Sequence, residues 1–323
     1  VTSVRYAKVP ELVLILAVPS PADRAALTRP LARARPAPVT NGDWRGWLAR
    51  RLGRADLAQQ PPAHVAAGCD SKPAGAWFAT PVSLVAALDH VRMAPDGCVA
   101  LTPEETAQLS ADFEQRLGEA GAGAARLALQ PAGAEGFLLA GLLASAHTHD
   151  PARVLGADIG AWLPQGQGAG PLRRLGSEIE MWLHEHPLAR ALRRRGAPPV
   201  TALWLWGGGA AVAAPAAPEP LAPWPRGFGA DSWLRGLWRA AGESLAGPGE
   251  TFASVNVAPD RDTVVVVRGA AQFESHWLAP ALEALAARQL RGVQLVIDER
   301  VFRFSRFDLV KPWRRAVEWT VPA

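Results

Sequence analysis

The chain has 323 residues, 34 Lys and Arg against 30 Asp and Glu, 49% hydrophobic residues and two cysteines. That composition excludes wholesale disorder and a disulfide-stapled scaffold, and no apolar run approaches the ~20 residues of a membrane span. The net charge of +4 is small for this length, and the basic clusters Arg50–Arg51–Arg54 and Arg193–Arg194–Arg195 are short, so they read as solvated helix faces and nucleic acid is not expected as a partner.

Residues 11–18, LVLILAV with its leading Glu, predict a buried first strand ended by Pro19. Arg5 and Lys8 ahead of this run imitate a signal peptide, but Pro19 and Pro21 stand where a small-x-small cleavage site belongs. The expectation is a cytoplasmic protein with its cysteines reduced. A helix is expected around Ala22–Ala34, and Asp43 should cap a second carrying Trp44, Trp47, Leu48 and Leu52. A loop, QQPPAH, leads to Val65–Ala67, and Ala76–Thr80 reads as a strand. Thr102-Pro103-Glu104-Glu105 is a complete helix-start signal, and Leu109, Phe113 and Leu117 continue one face. Short strands follow near 126–130 and 137–142.

A further helix spans about 171–185, with Leu172, Leu175, Ile179, Trp182 and Leu183 on its apolar stripe. Pro187 starts a short basic helix ending at Gly196, and VTALWLW (200–206) suits a central strand running into Gly207–Gly209. Residues 210–230 read as an Ala/Pro-rich linker or loop. Beyond them come a helix at 232–244, a strand at Val264–Val267, a helix at 271–289 interrupted by Pro280, and a hairpin pairing 293–297 with 301–307. Asp308 is expected to cap a last helix carrying Trp313. The alternation predicts an α/β protein with mixed sheets flanked by helices. The expected division is an α/β region 1–209, the linker 210–230, and a C-terminal α/β region 231–323 packed on the first.

Several motifs bear on chemistry. His147-Thr148-His149 would present both imidazoles on one face of a strand, but only Asp150 stands near as a further ligand, and the segment reads as a polar loop before Pro151. The triglycine turn lacks the spacing of a nucleotide-binding loop, and no G-x-S-x-G marks a hydrolase nucleophile. The segment 177–209 gathers Glu178, His184, Glu185, His186 and Arg190 around a helix break that leads into a buried strand and a glycine turn. Converging polar groups at such places are where α/β proteins build sites.

In that segment Glu178, Ile179, Met181, Leu183, His184, His186, Pro187, Gly196, Pro198, Pro199, Val200 and Trp204 through Gly209 match the signature of the RpfE-type regulatory proteins. The chain resembles this family also in WFATPVSLVAALDHVRM (77–93), DIGAWLPQGQGAGPLRRL (158–175), HWLAPALEAL and DLVKPWRR. The same element is similar to the substrate-side portion (77–209 here) of the archaeal-type cofactor-independent phosphoglycerate mutases of the alkaline phosphatase superfamily. The resemblance implies that scaffold, and a two-metal phosphotransferase would need an early Asp and later Asp and His ligands. Here VPSPAD follows the first strand, His276 is the one histidine after His186, and family asparagines are replaced by Ala189 and Thr201.

The expected function is therefore regulatory or small-molecule binding without catalysis, with no metal and no cofactor. The expected ligand is phosphorylated or carboxylated, held by Arg190 and the Gly207, Gly208 and Gly209 amides and oriented by His184 or His186, with Glu178 and Trp206 alongside. The alternative is a phosphomutase or phosphatase with a rearranged metal site.

Overall fold

The computed structural model describes residues 9–19, 21–38, 43–68, 75–119, 126–209, 212, 223–258, 260–269, 272–297 and 300–309. In chain order the first elements are β1 (Glu11–Val18), α1 (Pro21–Leu31), β2 (Arg35–Pro38), α2 (Trp44–Arg51), α3 (Pro62–Ala67), β3 (Trp77–Ala86) and β4 (Val91–Cys98). Then come α4 (Pro103–Leu117), β5 (Ala128–Pro131), β6 (Phe137–Ala140), α5 (Ala169–Glu185), α6 (Leu188–Arg194), β7 (Ala202–Trp206) and β8 (Arg226–Phe228). The last are α7 (Ser232–Ala240), β9 (Leu245–Ala246), α8 (Phe252–Val255), β10 (Thr263–Arg268), α9 (Ala279–Ala286), β11 (Gly292–Ile297), β12 (Arg300–Phe304) and α10 (Arg306–Leu309). The protein is thus α/β with mixed sheets and flanking helices.

Two compact units form, and neither is continuous in sequence. One takes the described residues within Val1–Ala58, Ala216–Ala230 and Ala241–Ala323, the other those within Gln59–Pro215 and Asp231–Ala240. This differs from the expected division at 209 and 231, because β1 hydrogen-bonds in parallel to both β10 and β11 and so assembles with the C-terminal residues. Most of the expected linker lies outside the described residues; of its remainder, residues 226–228 are strand β8, parallel to β10.

In the first unit seven strands run in the order β2-β12-β11-β1-β10-β8-β9. Central β1 is buried on both faces, which is why its sequence is continuously apolar rather than alternating. Leu12, Leu14 and Leu16 enter one core with Leu27, Leu31, Trp277, Leu278 and Leu285. Across the ends of β1, β10 and β11 the Glu11 carboxylate accepts from Arg51 Nη2 at 2.9 Å, Arg291 Nη2 at 3.0 Å and Gln294 Nε2 at 2.6 Å.

The expected long helix before β11 is divided: a π-helical turn, Glu274–Leu278, precedes α9. Pro280 has no N–H to continue a ladder, and it falls where the π-helical turn passes into α9. Asp308 lies inside α10 rather than before it: its Oδ2 accepts the Ser305 amide at 3.0 Å, so Ser305 is the residue at the helix start. Trp313 lies outside the described residues.

The second unit is built on an antiparallel sheet in which β3 pairs with β4, β6 and β7, and β6 pairs with β5. Helices α4 and α5 supply Leu109, Phe113, Leu172, Leu175, Ile179 and Leu183 to its core, beside Trp77, Phe137 and Leu203. Helix α3 occupies part of the expected QQPPAH loop and packs on α7 at Gly236, where a Cβ would lie 2.0 Å from the Val65 carbonyl oxygen.

Candidate functional site

The helix-start signal at Thr102 forms in full: Thr102 Oγ1 accepts the Glu105 amide at 3.2 Å and the Glu105 carboxylate accepts the Thr102 amide at 2.9 Å. The same carboxylate holds Arg195 at 3.0 and 2.9 Å through Nε and Nη2, tying the end of α6 to the start of α4. Burial would raise the Glu105 pKa, but the Arg195 hydrogen bond, the Thr102 amide and the Arg195 charge outweigh it and leave it lowered.

With α4 fixed, Asp112 faces the break between α5 and α6. Its Oδ2 lies 3.0 Å from His186 Nε2, and the Leu188 amide donates to His186 Nδ1 at 3.1 Å. That network assigns the imidazole hydrogen to Nε2, from which it is donated to Asp112. Trp182 packs edge to face on the ring at 4.9 Å. His186 is 7% exposed, and both its ring nitrogens are engaged in joining α4, α5 and α6. The Gln108 side chain donates to Asp112 at 2.8 Å and lowers its pKa; partial burial opposes this and the His186 hydrogen bond reinforces it.

Sequence reasoning missed Asp112 and Gln108, although their i, i+4 spacing on one helix face was a usable signal. The helix break leaves His184 and Arg190 exposed, with Glu178 partly exposed and its Oε1 3.3 Å from Arg174 Nε. On α6, Leu188 and Leu192 are buried, while Arg190, Arg193 and Arg194 face solvent. Among the described residues none of these three arginines has an ion-pair partner.

The remaining expected site residues lie elsewhere. Arg190 precedes β7, whereas Trp206 and Gly207–Gly209 are at its far end, about 13 Å along the strand from Ala202. Trp206 is 3% exposed; its Nε1 donates to Thr80 Oγ1 at 2.9 Å and its ring lies 4.7 Å from Phe78. The Gly207 amide donates to Thr148 Oγ1 at 3.1 Å, and the Gly207 carbonyl accepts from the Ala63 amide at 2.8 Å. Gly207 has φ 64°, and a Cβ on Gly208 would lie 2.2 Å from Trp77 Cδ2 and 2.4 Å from the Ala76 carbonyl oxygen. Packing and backbone conformation thus account for glycine at 207 and 208 without an anion. The structure brings His184, His186 and Arg190 into one region and separates them from the triglycine turn.

That turn instead meets the 147–149 segment. His147 and Gln165 form an isolated antiparallel bridge with hydrogen bonds of 2.9 and 3.0 Å, and Trp204 Nε1 donates to the His149 carbonyl at 2.8 Å. The two imidazoles lie 4.6 Å apart, and Trp162 stands 4.9 Å from His149. Burial, with the charges of His147 and Arg153, lowers the His149 pKa.

Among the described residues no three His, Cys, Asp or Glu side chains gather as a metal centre requires, and no helix is long and apolar enough to cross a membrane. No protein-family model and no curated protein matches the chain. Solved structures are similar to it, two of them as follows. The cofactor-independent phosphoglycerate mutase from Thermoplasma acidophilum is 12% identical over 92% of this chain and 90% of its own, with a TM-score of 0.34. The PH0037 protein from Pyrococcus horikoshii is 14% identical over 92% of this chain and 87% of its own, with a TM-score of 0.37. No residue role comes to this chain from either.

Proposed function

We propose that the chain is a non-catalytic, RpfE-type regulatory protein that binds a phosphorylated or carboxylated small molecule at the α5–α6 turn. The observation that carries this reading is the uncompensated charge on α6. Arg190, Arg193 and Arg194 stand at i, i+3 and i+4, so their side chains are neighbours on one helix face and repel one another. Glu185 is the one acid between His184 and Arg195. An anion seated on the three guanidiniums relieves that repulsion and gains charge-assisted, bidentate hydrogen bonds. His184 precedes the break and offers an imidazole N–H as a donor. His186 acts indirectly, by holding α6 against Asp112.

A seven-residue helix is about 10 Å long, too short to follow the phosphates of a nucleic acid, so a compact anion is the fitting ligand. A cytoplasmic setting, with Cys98 kept reduced, belongs to the same reading.

The test is thermal unfolding with inorganic phosphate, 3-phosphoglycerate or citrate against chloride at matched ionic strength. A ligand present at 100 times its Kd stabilises by about 2.7 kcal/mol, a shift of several degrees. The shift should vanish in Arg190→Ala. An undiminished shift in that variant refutes the site. Interconversion of 3- and 2-phosphoglycerate with added Mn²⁺, abolished by His186→Ala, refutes the non-catalytic reading in favour of a phosphomutase with a rearranged metal site.

A further inference from the structure

The His147–His149 pair, at the opposite end of β7 from the arginines, has no part in the function proposed above. The contact between their rings brings the side chains of residues 147 and 149 together, while Thr148 Oγ1 is engaged by the Gly207 amide. Each residue of the segment has a hydrogen-bonded anchor. The His147 amide and carbonyl are both spent on Gln165, Thr148 Oγ1 accepts the Gly207 amide, and the His149 carbonyl accepts the Trp204 indole. Just before the segment, Gly168 packs so closely on residue 145 that a Cβ would lie 2.1 Å from the Ser145 carbonyl oxygen. The two imidazoles are therefore presented on a rigid support before any ligand arrives.

Their separation is informative. Two imidazoles sharing one cation at about 2.1 Å have ring centres about 4.5 Å apart for a right-angled N–metal–N arrangement and about 5.2 Å for a tetrahedral one. The measured distance is 4.6 Å, with the planes at 79°. Trp162 also packs edge to face on His149, at 4.9 Å and 83°, while His147 is exposed. The neighbouring carboxylate is turned elsewhere: Asp150 Oδ1 accepts the Ala152 amide at 2.9 Å and caps the turn that follows.

We propose that His147 and His149 form a two-imidazole clip for a single late first-row divalent cation of the Zn²⁺, Ni²⁺ or Cu²⁺ type, leaving its other positions to water or a bound anion. Two nitrogen donors select these ions over Mg²⁺ and Ca²⁺, which take oxygen ligands, and affinity should be greatest for Cu²⁺.

The experiment uses the full chain, with calorimetric titration of Zn²⁺ and Cu²⁺ and electron paramagnetic resonance of the Cu²⁺ form. One Cu²⁺ per chain with hyperfine coupling to two imidazole nitrogens is expected, and Mg²⁺ should not compete. His147→Ala and His149→Ala should each weaken binding roughly a hundredfold, the loss on turning a chelating pair into a lone ligand. The double variant should lose binding at this site altogether, and His276→Ala should bind as the unaltered chain does. Because His149 also packs on Trp162, His149→Phe keeps a ring there and separates ligation from folding. Tight Cu²⁺ binding in a folded His149→Phe chain, or a spectrum without two-nitrogen coupling, overturns the proposal.

Discussion

His186 Nε2 lies 3.0 Å from Asp112 Oδ2, a contact between residues 74 apart that fixes the helix break by its side chain rather than by its backbone alone. The ring's other nitrogen accepts the Leu188 amide, so His186→Ala removes two hydrogen bonds from a buried position. The expected loss is about 2–3 kcal/mol of unfolding free energy, read from urea melts. Asp112 adds a pH dependence. A carboxyl whose pKa is lowered on folding contributes stability above its ordinary value that is lost as pH falls through the lowered one. Acid unfolding should therefore begin below about pH 4, and Asp112→Asn should flatten that part of the curve.

Gly208→Ala should destabilise more than its single methyl group suggests. The added carbon meets the Trp77 indole and the Ala76 backbone, neither of which can swing aside, and a cost of about 2–4 kcal/mol is expected. Thermal unfolding monitored by tryptophan fluorescence measures it. Ligand-induced shifts from the α6 arginines should persist in this variant, since the glycine turn lies at the other end of β7.

At the start of α4, Thr102→Ala removes the hydroxyl that accepts the Glu105 amide and should cost about 1 kcal/mol. Arg195→Lys keeps the charge but loses the two-point grip on Glu105, so it should fall between the unaltered chain and Arg195→Ala in denaturant midpoint.

Glu11→Gln tests the cluster that joins β1 to α2 and β11. The amide presents one acceptor where Arg51, Arg291 and Gln294 now find a carboxylate, and about 1–3 kcal/mol should be lost. Added salt should narrow the difference, because Arg51 and Arg291 are partly exposed.

Signals confined to a few neighbouring residues were legible in the sequence. Asp43 caps α2 through the Arg45 amide at 2.9 Å, and the Thr102 start and the apolar run of β1 appear where expected. Strand β4 was not legible, since Pro95, Asp96 and Gly97 read as a turn; its pairing with β3 is irregular, with a register shift between Val82 and Leu84. Helix α3 was hidden because Pro61 and Pro62 signal a loop as readily as a helix start. The expected grouping of site residues divides for a different reason. Residues 178–209 are contiguous, yet a five-residue extended strand carries its two ends apart, and adjacency in sequence passed for adjacency in space. The partners that matter, Asp112 for His186 and Thr148 for Gly207, come from distant segments that no local pattern connects.

The position of β1 has a consequence for synthesis. Leu12 through Leu16 pair on one side with residues 263–267 and on the other with 293–297, some 250 and 280 positions later. A strand that is apolar on both faces therefore leaves the ribosome long before either neighbour exists, while the described residues within 59–215 and 231–240 can already assemble around their own sheet. The first unit can close only after residues 293–297 have emerged, which makes its folding slow and its waiting strand the segment most in need of protection from other chains.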